Sequence, residues 1–221
     1  MTRLLIAGAT GLVGRHVLDQ ALSDRRVAQV VALTRRALPM HPKLLNPVAR
    51  ADDLPLDAEW WTVDSAISTL GSTRAKAGSR EAFRAIDHDY PLAIARQVRG
   101  RGARALVLAS AAGAHARSLF FYNRVKGDLE LALAQLNFPS LTIARPGLLG
   151  GRRTEPRPLE DVAAILVRSL GRALSTGLRV NPAFAVAALM LEAAIDAPLG
   201  AHIISAADIV RTGARGEPGE D

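Results

Sequence analysis

Short apolar runs alternate along the chain with longer segments in which apolar residues recur at helical spacing. The short runs are typical of buried parallel strands, and the longer segments are typical of amphipathic helices. Their alternation predicts an α/β fold in which helices cover both faces of a doubly wound parallel sheet. The predicted strands are Arg3–Ala7, Gln29–Leu33, Pro47–Arg50, Ser65–Leu70, Ala105–Ala109, Leu141–Ala144 and Ala201–Ser205.

The helical segments fit between these strands. We predict a helix that begins near Gly11, a second with its apolar face between Phe83 and Val98, a third over 120–136 and a fourth over 159–174. A fifth helix is predicted to follow Asn181 as its cap, with Pro182 in the first turn. Residues 1–221 are expected to form a single domain, in which roughly 150–180 and 197–213 contribute a small substrate-side lobe and 214–221 form a disordered tail.

Composition narrows the possible classes of protein. The chain has no cysteine, which excludes disulfides, thiolate metal sites and a cysteine nucleophile, and its five histidines lack metal-ligand spacing, so we predict no metal. No run of about eighteen apolar residues is present, which predicts that the chain does not span a membrane. Because the sequence enters its first strand directly, with no signal-peptide pattern, we expect a cytoplasmic location.

The charge balance is basic, with a formal net charge of +7 and a pI near 10.8. Only Lys43, Lys76 and Lys126 are lysines, so almost all positive charge comes from arginines, which are scattered over many elements. Aromatic residues, on which bases could stack, make up 4% of the chain. These features argue against nucleic acid as a partner, and we expect a monomer or homodimer that binds small molecules.

Three glycines follow the first predicted strand in the pattern G-x-x-G-x-x-G, at Gly8, Gly11 and Gly14, and a helix begins within them. A strand, a glycine turn and a helix N-terminus are the context of a dinucleotide-binding site, because bare backbone and free helix N–H groups can meet a pyrophosphate. The predicted cofactor contacts here are Gly8, Thr10, Gly11, Leu12, Val13 and Gly14.

The second predicted strand ends at Thr34, Arg35 and Arg36, with no acidic residue to bind the ribose 2′-hydroxyl of NAD. A guanidinium pairs well with a phosphate, so Arg35 and Arg36 predict NADP(H) rather than NAD; the alternative is two solvated loop arginines. Further contacts are predicted where other strands end. These are Leu70, Gly71 and Pro146.

Tyr122 and Lys126 lie four residues apart on one predicted helix and therefore share a face. A neighbouring ammonium lowers the pKa of a phenol, which suits proton transfer near neutral pH. We therefore predict Tyr122 as the catalytic acid/base and Lys126 as its activator and a ribose ligand. Ser110, at the end of the fifth predicted strand, is the candidate ligand for the substrate oxygen, although an ordinary strand-end serine is an equal alternative.

The segments GATGLVG, YNRVK and ARPGLLGG, together with Ser110, resemble the extended or atypical short-chain dehydrogenases/reductases. More narrowly, LGSTRAKAGSREAFRAIDHDY, FYNRVKGDLE and LTIARPGLLGGRR resemble the Tat-interacting-protein branch and its bacterial relatives. This resemblance implies an NADP(H)-binding Rossmann domain with a small C-terminal lobe, and an oxidoreductase of carbonyl or alcohol substrates.

Two positions depart from the pattern of this family. Ala111 stands where several relatives have a second serine, and Asp87 replaces the helix asparagine of many members. A non-catalytic NADP(H)-binding regulator is therefore an alternative to the enzyme, and a nucleotide-sugar epimerase or dehydratase is another.

Overall fold

A parallel sheet forms the centre of the computed structural model, which describes residues 1–50, 52–72, 77–150 and 180–213. In this part of the chain the sheet has seven strands in the order β3-β2-β1-β4-β5-β6-β9, and all neighbouring strands are parallel. The strands are β1 (Thr2–Ala7), β2 (Val27–Leu33), β3 (Leu44–Leu45), β4 (Ser65–Ser68), β5 (Ala105–Ala109), β6 (Ser140–Arg145) and β9 (Gly200–Ser205). A separate parallel pair consists of β7 (Leu148–Gly150) and β8 (Val180–Pro182).

The helices of the described residues lie on both faces of this sheet. They are α1 (Leu12–Ser23), α2 (Arg80–Arg84), α3 (Tyr90–Gly100), α4 (Phe121–Ala134), α5 (Ala183–Asp196) and α6 (Ala206–Gly213). A π-helical turn over Ala85–Asp89 joins α2 to α3, and Glu59–Trp61 form a 3-10 turn before β4. No helix in the described ranges is long and apolar enough to span a bilayer.

Two apolar clusters, one on each face, hold the layers together. Leu4 and Ile6 of β1 face α1 and α5, whereas Leu5 and Ala7 of the same strand face α3 and α4. Successive residues of a strand point to opposite faces, so a strand covered on both sides reads as a continuous apolar run. The predicted doubly wound α/β fold is therefore confirmed.

The third strand differs from its prediction. The ladder with β2 covers only Leu44–Leu45, and 47–50 are not a strand. Asn46 follows this ladder, and its side-chain amide donates to the Ala32 carbonyl and the Thr34 hydroxyl. Pro47 has no N–H to donate, so pairing continues only as an isolated bridge between Thr34 and Val48.

The prediction that Asn181 caps a helix is also wrong. Asn181 lies in β8 and is buried, and Pro182 occupies the N-cap position of α5. The Asn181 side chain accepts from the Gly147 amide at 2.6 Å and donates to the Ala206 carbonyl at 3.1 Å. Its polar groups connect three segments instead of closing a helix.

The predicted helix over 159–174, most of the predicted lobe and the tail over 214–221 lie outside the described residues. The predicted strand at 201–205 is present as β9 and extends the central sheet beside β6. The division of the chain into a main domain and a small lobe stays a prediction.

Candidate functional site

The carboxyl ends of β2, β1, β4, β5 and β6 meet at one edge of the sheet, because these strands are parallel. From β1 the strand order runs to β2 and β3 on one side, and from the neighbouring β4 it runs to β5 and β6 on the other. The crevice between β1 and β4 is therefore the topological switch point, where open α/β sheets bind ligands. The residues predicted as site residues follow these strand ends or lie on α4 beside them. The structure therefore brings the predicted contacts to one edge.

The turn from β1 into α1 requires glycine at two positions for reasons of packing. Gly8 has φ +90°, and a β-carbon there would lie 2.9 Å from the Thr69 carbonyl carbon. A β-carbon at Gly14 would lie 2.0 Å from the Gly8 carbonyl oxygen, so α1 could not pack this close to the turn. Both glycines are needed to build the turn, with or without a ligand.

Gly11 differs from the other two glycines. It is the exposed N-cap residue of α1 with φ −77° and ψ 173°, a conformation open to any residue. A β-carbon there would meet, among the described residues, only the Gly8 carbonyl oxygen at 3.3 Å. Within the described residues no side-chain hydrogen bond caps α1, so its first-turn amides are left for an anion or water.

The predicted neighbours of Gly11 divide between surface and core. Thr10 is exposed and Leu12 is half-buried, so both can meet a ligand at the turn. The side chain of Val13 is buried in the cluster beneath α1. Val13 could therefore contact a ligand only through its backbone.

The end of β2 presents the two predicted arginines to solvent. Thr34 is buried, and its hydroxyl donates to the Arg36 carbonyl at 2.7 Å, which fixes the turn. Arg35 and Arg36 are exposed, and neither guanidinium forms an ion pair within the described residues. Two cations are thus available where the adenine ribose of a dinucleotide would lie.

Lys126 is the most deeply placed of the predicted site residues that carry a charge. Its side chain is 3% exposed, and its Nζ lies 2.9 Å from Oδ1 of Asp87, whose side chain is fully buried. Lys126 Nζ also donates to the Leu70 carbonyl at 3.4 Å, and the Ser72 amide donates to Asp87 Oδ2 at 2.7 Å. Burial raises the pKa of the Asp87 carboxyl, and Lys126 and the Ser72 amide oppose this effect.

Tyr122 lies one turn before Lys126 on α4 and is 41% exposed. Its ring centroid is 5.8 Å from that of Phe83 in α2, in a tilted arrangement that anchors the ring at the surface. The predicted pair therefore has one member at the surface and one beneath it, on the same helix face.

Ser110 is buried and its hydroxyl donates to Glu130 of α4, which also accepts two hydrogen bonds from Arg145 at the end of β6. The bond to Glu130 raises the pKa of Arg145. The Ser110 hydroxyl thus donates its proton to Glu130 and could act toward a substrate only as a hydrogen-bond acceptor. Sequence reasoning missed Glu130; its spacing of four residues from Lys126, within an apolar helix face, was the available signal.

A glycine of α4 was also missed. A β-carbon at Gly127 would lie 2.3 Å from the Ala116 amide nitrogen, so only glycine lets the loop after β5 approach α4. The His115 amide donates to the Asn123 carbonyl at 3.0 Å and fixes this contact. The loop is thereby held against the first turns of the helix that carries Tyr122.

Of the remaining predicted contacts, Leu70 supplies a carbonyl to Lys126, and Gly71 is exposed directly above the ion pair. A β-carbon at Gly71 would lie 3.5 Å from Lys126 Nζ. Pro146 is buried, and its carbonyl accepts from the Ala112 amide at 2.8 Å. No group of three or more His, Asp or Glu in the described ranges could hold a metal ion.

No protein-family model matches the chain. A relative from Coccidioides immitis, named protein FMP52, mitochondrial, is 33% identical over 238 residues, which cover 96% of this chain and 97% of the relative. This chain belongs to the FMP52 family. Other fungal FMP52 proteins match at similar identity.

The solved structures that resemble this FMP52-family chain have lower identity. MoeE5 in complex with UDP-glucose and NAD has a TM-score of 0.68 at 18% identity, and the match covers 92% of this chain and 75% of MoeE5. A short chain dehydrogenase family protein from Francisella tularensis has a TM-score of 0.63 at 14% identity, over 95% of this chain and 99% of that protein. These matches show the short-chain dehydrogenase fold, as the sequence motifs predict. The narrower resemblance to the Tat-interacting-protein branch stays a prediction.

The predicted cytoplasmic location is wrong. The FMP52 relatives are named as mitochondrial proteins, and this contradicts it. The prediction rested on the absence of a signal-peptide pattern. The hydrophobic pattern of a folded domain is determined by its packing and does not indicate the compartment of the protein.

Proposed function

We propose that this FMP52-family chain is an NADP(H)-dependent oxidoreductase of the short-chain type that acts on a small carbonyl or alcohol. The observation that carries this proposal is Gly11. Packing explains Gly8 and Gly14, whereas Gly11 is exposed, its backbone conformation is open to any residue, and a β-carbon there would have one tight neighbour among the described residues, the Gly8 carbonyl oxygen at 3.3 Å. A glycine at the open N-terminus of α1 is what a pyrophosphate needs in order to reach the backbone amides.

The preference for NADP over NAD is supported by Arg35 and Arg36 alone. Both are exposed at the end of β2, and no ion pair within the described residues competes for them. Arginine forms bidentate pairs with phosphate, so either could bind the 2′-phosphate that distinguishes NADP. MoeE5 is described with NAD, so the comparisons do not support this preference.

The proposed chemistry places Tyr122 at the substrate oxygen. A bound nicotinamide would supply or accept the hydride at the substrate carbon. Tyr122 would exchange the proton with the oxygen, as its partial exposure at the sheet edge allows. Lys126 Nζ forms an ion pair with Asp87 and donates one hydrogen bond to the Leu70 carbonyl, and a further N–H of its three could bind a ribose hydroxyl.

A regulatory dinucleotide-binding protein is the second candidate, and the Ser110 network favours it. Ser110 donates its proton to Glu130, and Ala111 offers no replacement hydroxyl. A substrate oxygen at this edge would then have Tyr122 as its hydrogen-bond donor without a serine beside it.

Calorimetric titration with NADPH and NADH, followed by a carbonyl panel assayed for NADPH oxidation and for alcohol product, separates these candidates. Tight NADPH binding with turnover supports the enzyme. Tight binding without turnover supports the regulator, and no binding of either dinucleotide overturns both.

A further inference from the structure

Asp87 is a buried carboxylate at a position where the sequence departs from the family pattern, and the proposed proton transfer does not use it. It lies in the π-helical turn between α2 and α3, and its exposure is 0%. π-turns inside helices are rare and frequently occur at functional sites. A carboxylate in this position cannot touch a dinucleotide, yet both of its oxygens have partners that belong to the site.

The two oxygens of Asp87 join different parts of the site. Oδ1 pairs with Lys126 Nζ of α4 at 2.9 Å, and Oδ2 accepts from the Ser72 amide at 2.7 Å, just after β4. Lys126 Nζ also donates to the Leu70 carbonyl at 3.4 Å, so Asp87, Lys126 and the 70–72 segment form one connected network. The exposed Gly71 lies next to this network. Because Gly71 has no side chain, a ligand at the sheet edge could approach Lys126 closely there.

We propose that Asp87 is a positioning residue that fixes the Lys126 ammonium beneath Gly71 and holds the 70–72 segment against it. This inference rests on the proposed function, because it assigns Lys126 to the bound dinucleotide. A lysine chain has four rotatable bonds, and a buried counter-ion removes most of that freedom before the ligand arrives. Dinucleotide affinity should therefore depend on a residue that the dinucleotide never contacts.

The test is Asp87→Asn, with Asp128→Asn as the matched control. Asp128 of α4 pairs with Arg84 of α2 at 3.1 Å, so the control removes a neighbouring ion pair that is partly exposed instead of buried. We expect Asp87→Asn to weaken NADPH binding about ten- to a hundredfold, and Asp128→Asn to change it less than about twofold. In the Lys126→Met background, Asp87→Asn should have no further effect on affinity.

A readout without ligand tests the positioning itself. The chain has only three lysines, so an NMR spectrum of ¹⁵N-lysine-labelled protein should resolve the Lys126 ammonium, with proton exchange slowed by burial. We expect Asp87→Asn to shift this signal and accelerate its exchange, and Asp128→Asn to leave it unchanged. If Asp87→Asn does not fold, Asp87→Asn/Lys126→Met removes both buried charges of this pair and should melt higher than either single variant.

Three results would overturn the inference. The first is a folded Asp87→Asn protein with wild-type NADPH affinity. The second is an NMR signal of the Lys126 ammonium that does not change in Asp87→Asn. The third is a double variant whose decrease in melting temperature equals the sum of the decreases in the two single variants. Absence of dinucleotide binding in the wild type would instead overturn the proposed function. In that case the NMR comparison would still decide whether Asp87 positions Lys126.

Discussion

Replacing Gly11 with valine should separate ligand binding from folding. The φ and ψ of Gly11 suit valine, and the β-carbon would meet only the Gly8 carbonyl oxygen at 3.3 Å among the described residues. The expected loss of stability is about 1–2 kcal/mol, or roughly 2–8 °C in melting temperature, because valine is a poor N-cap and the Gly8 carbonyl oxygen must shift slightly to accept the β-carbon. The branched side chain would, however, occupy the space in front of the α1 amides.

The expected loss of affinity is much larger. If the pyrophosphate accepts two charge-assisted hydrogen bonds there, at about 1.5 kcal/mol or more each, their loss weakens binding roughly a hundredfold. Calorimetric titration with NADPH measures this change, and thermal unfolding measures the stability. Gly14→Ala is the contrasting variant, because its β-carbon would lie 2.0 Å from the Gly8 carbonyl oxygen and should destabilise the fold itself. A folded Gly11→Val protein with wild-type affinity would refute the assignment of the first turn as the phosphate site.

Three further predictions concern the cofactor ribose and the chemistry. Arg35→Ala should weaken NADPH binding about tenfold or more without changing NADH binding, and equal NADPH and NADH affinities in the wild type would contradict the choice of NADP. Tyr122→Phe should lower turnover of an accepted carbonyl about a hundredfold while NADPH affinity stays constant; wild-type turnover by this variant would exclude Tyr122 as the proton donor. Ser110→Ala should reduce turnover less than about tenfold, because the Ser110 proton is already donated to Glu130. A loss as large as that of Tyr122→Phe would show instead that Ser110 binds the substrate oxygen.

The parts of the fold that local pattern controls were predictable. The turn after β1 needs glycine at position 14 because of the Gly8 carbonyl six residues earlier, and at position 8 because φ is positive there, although the close neighbour of Gly8 is the distant Thr69. The glycine spacing itself is visible in the sequence. The third strand was not predictable to the residue, because its end depends on the Asn46 side chain bonding to Ala32 of β2 and to Thr34 just after it. The role of Asn181 was missed for the same reason, since both of its partners lie more than twenty residues away.

The sequence indicates which residues belong to the candidate site, but it does not indicate which of their charged side chains form ion pairs. Tyr122 and Lys126 are visible together because helix geometry relates positions four apart. The partners of the charged residues, Asp87 for Lys126 and Arg145 for Glu130, come from other elements, and sequence spacing carries no information about them.

These pairs also determine where the site can attract an anion. Each charge on the inner face of α4 has a counter-charge in direct contact, so Lys126 and Glu130 add almost no net charge to the sheet edge. Lys126 can then contribute an oriented hydrogen bond, but little long-range attraction. The N-terminus of α1 carries roughly half a positive charge, and Arg35 and Arg36 have no ion-pair partner within the described residues. Attraction of a phosphate-bearing cofactor should therefore come from the β1 and β2 side of the edge, and positioning from the α4 side.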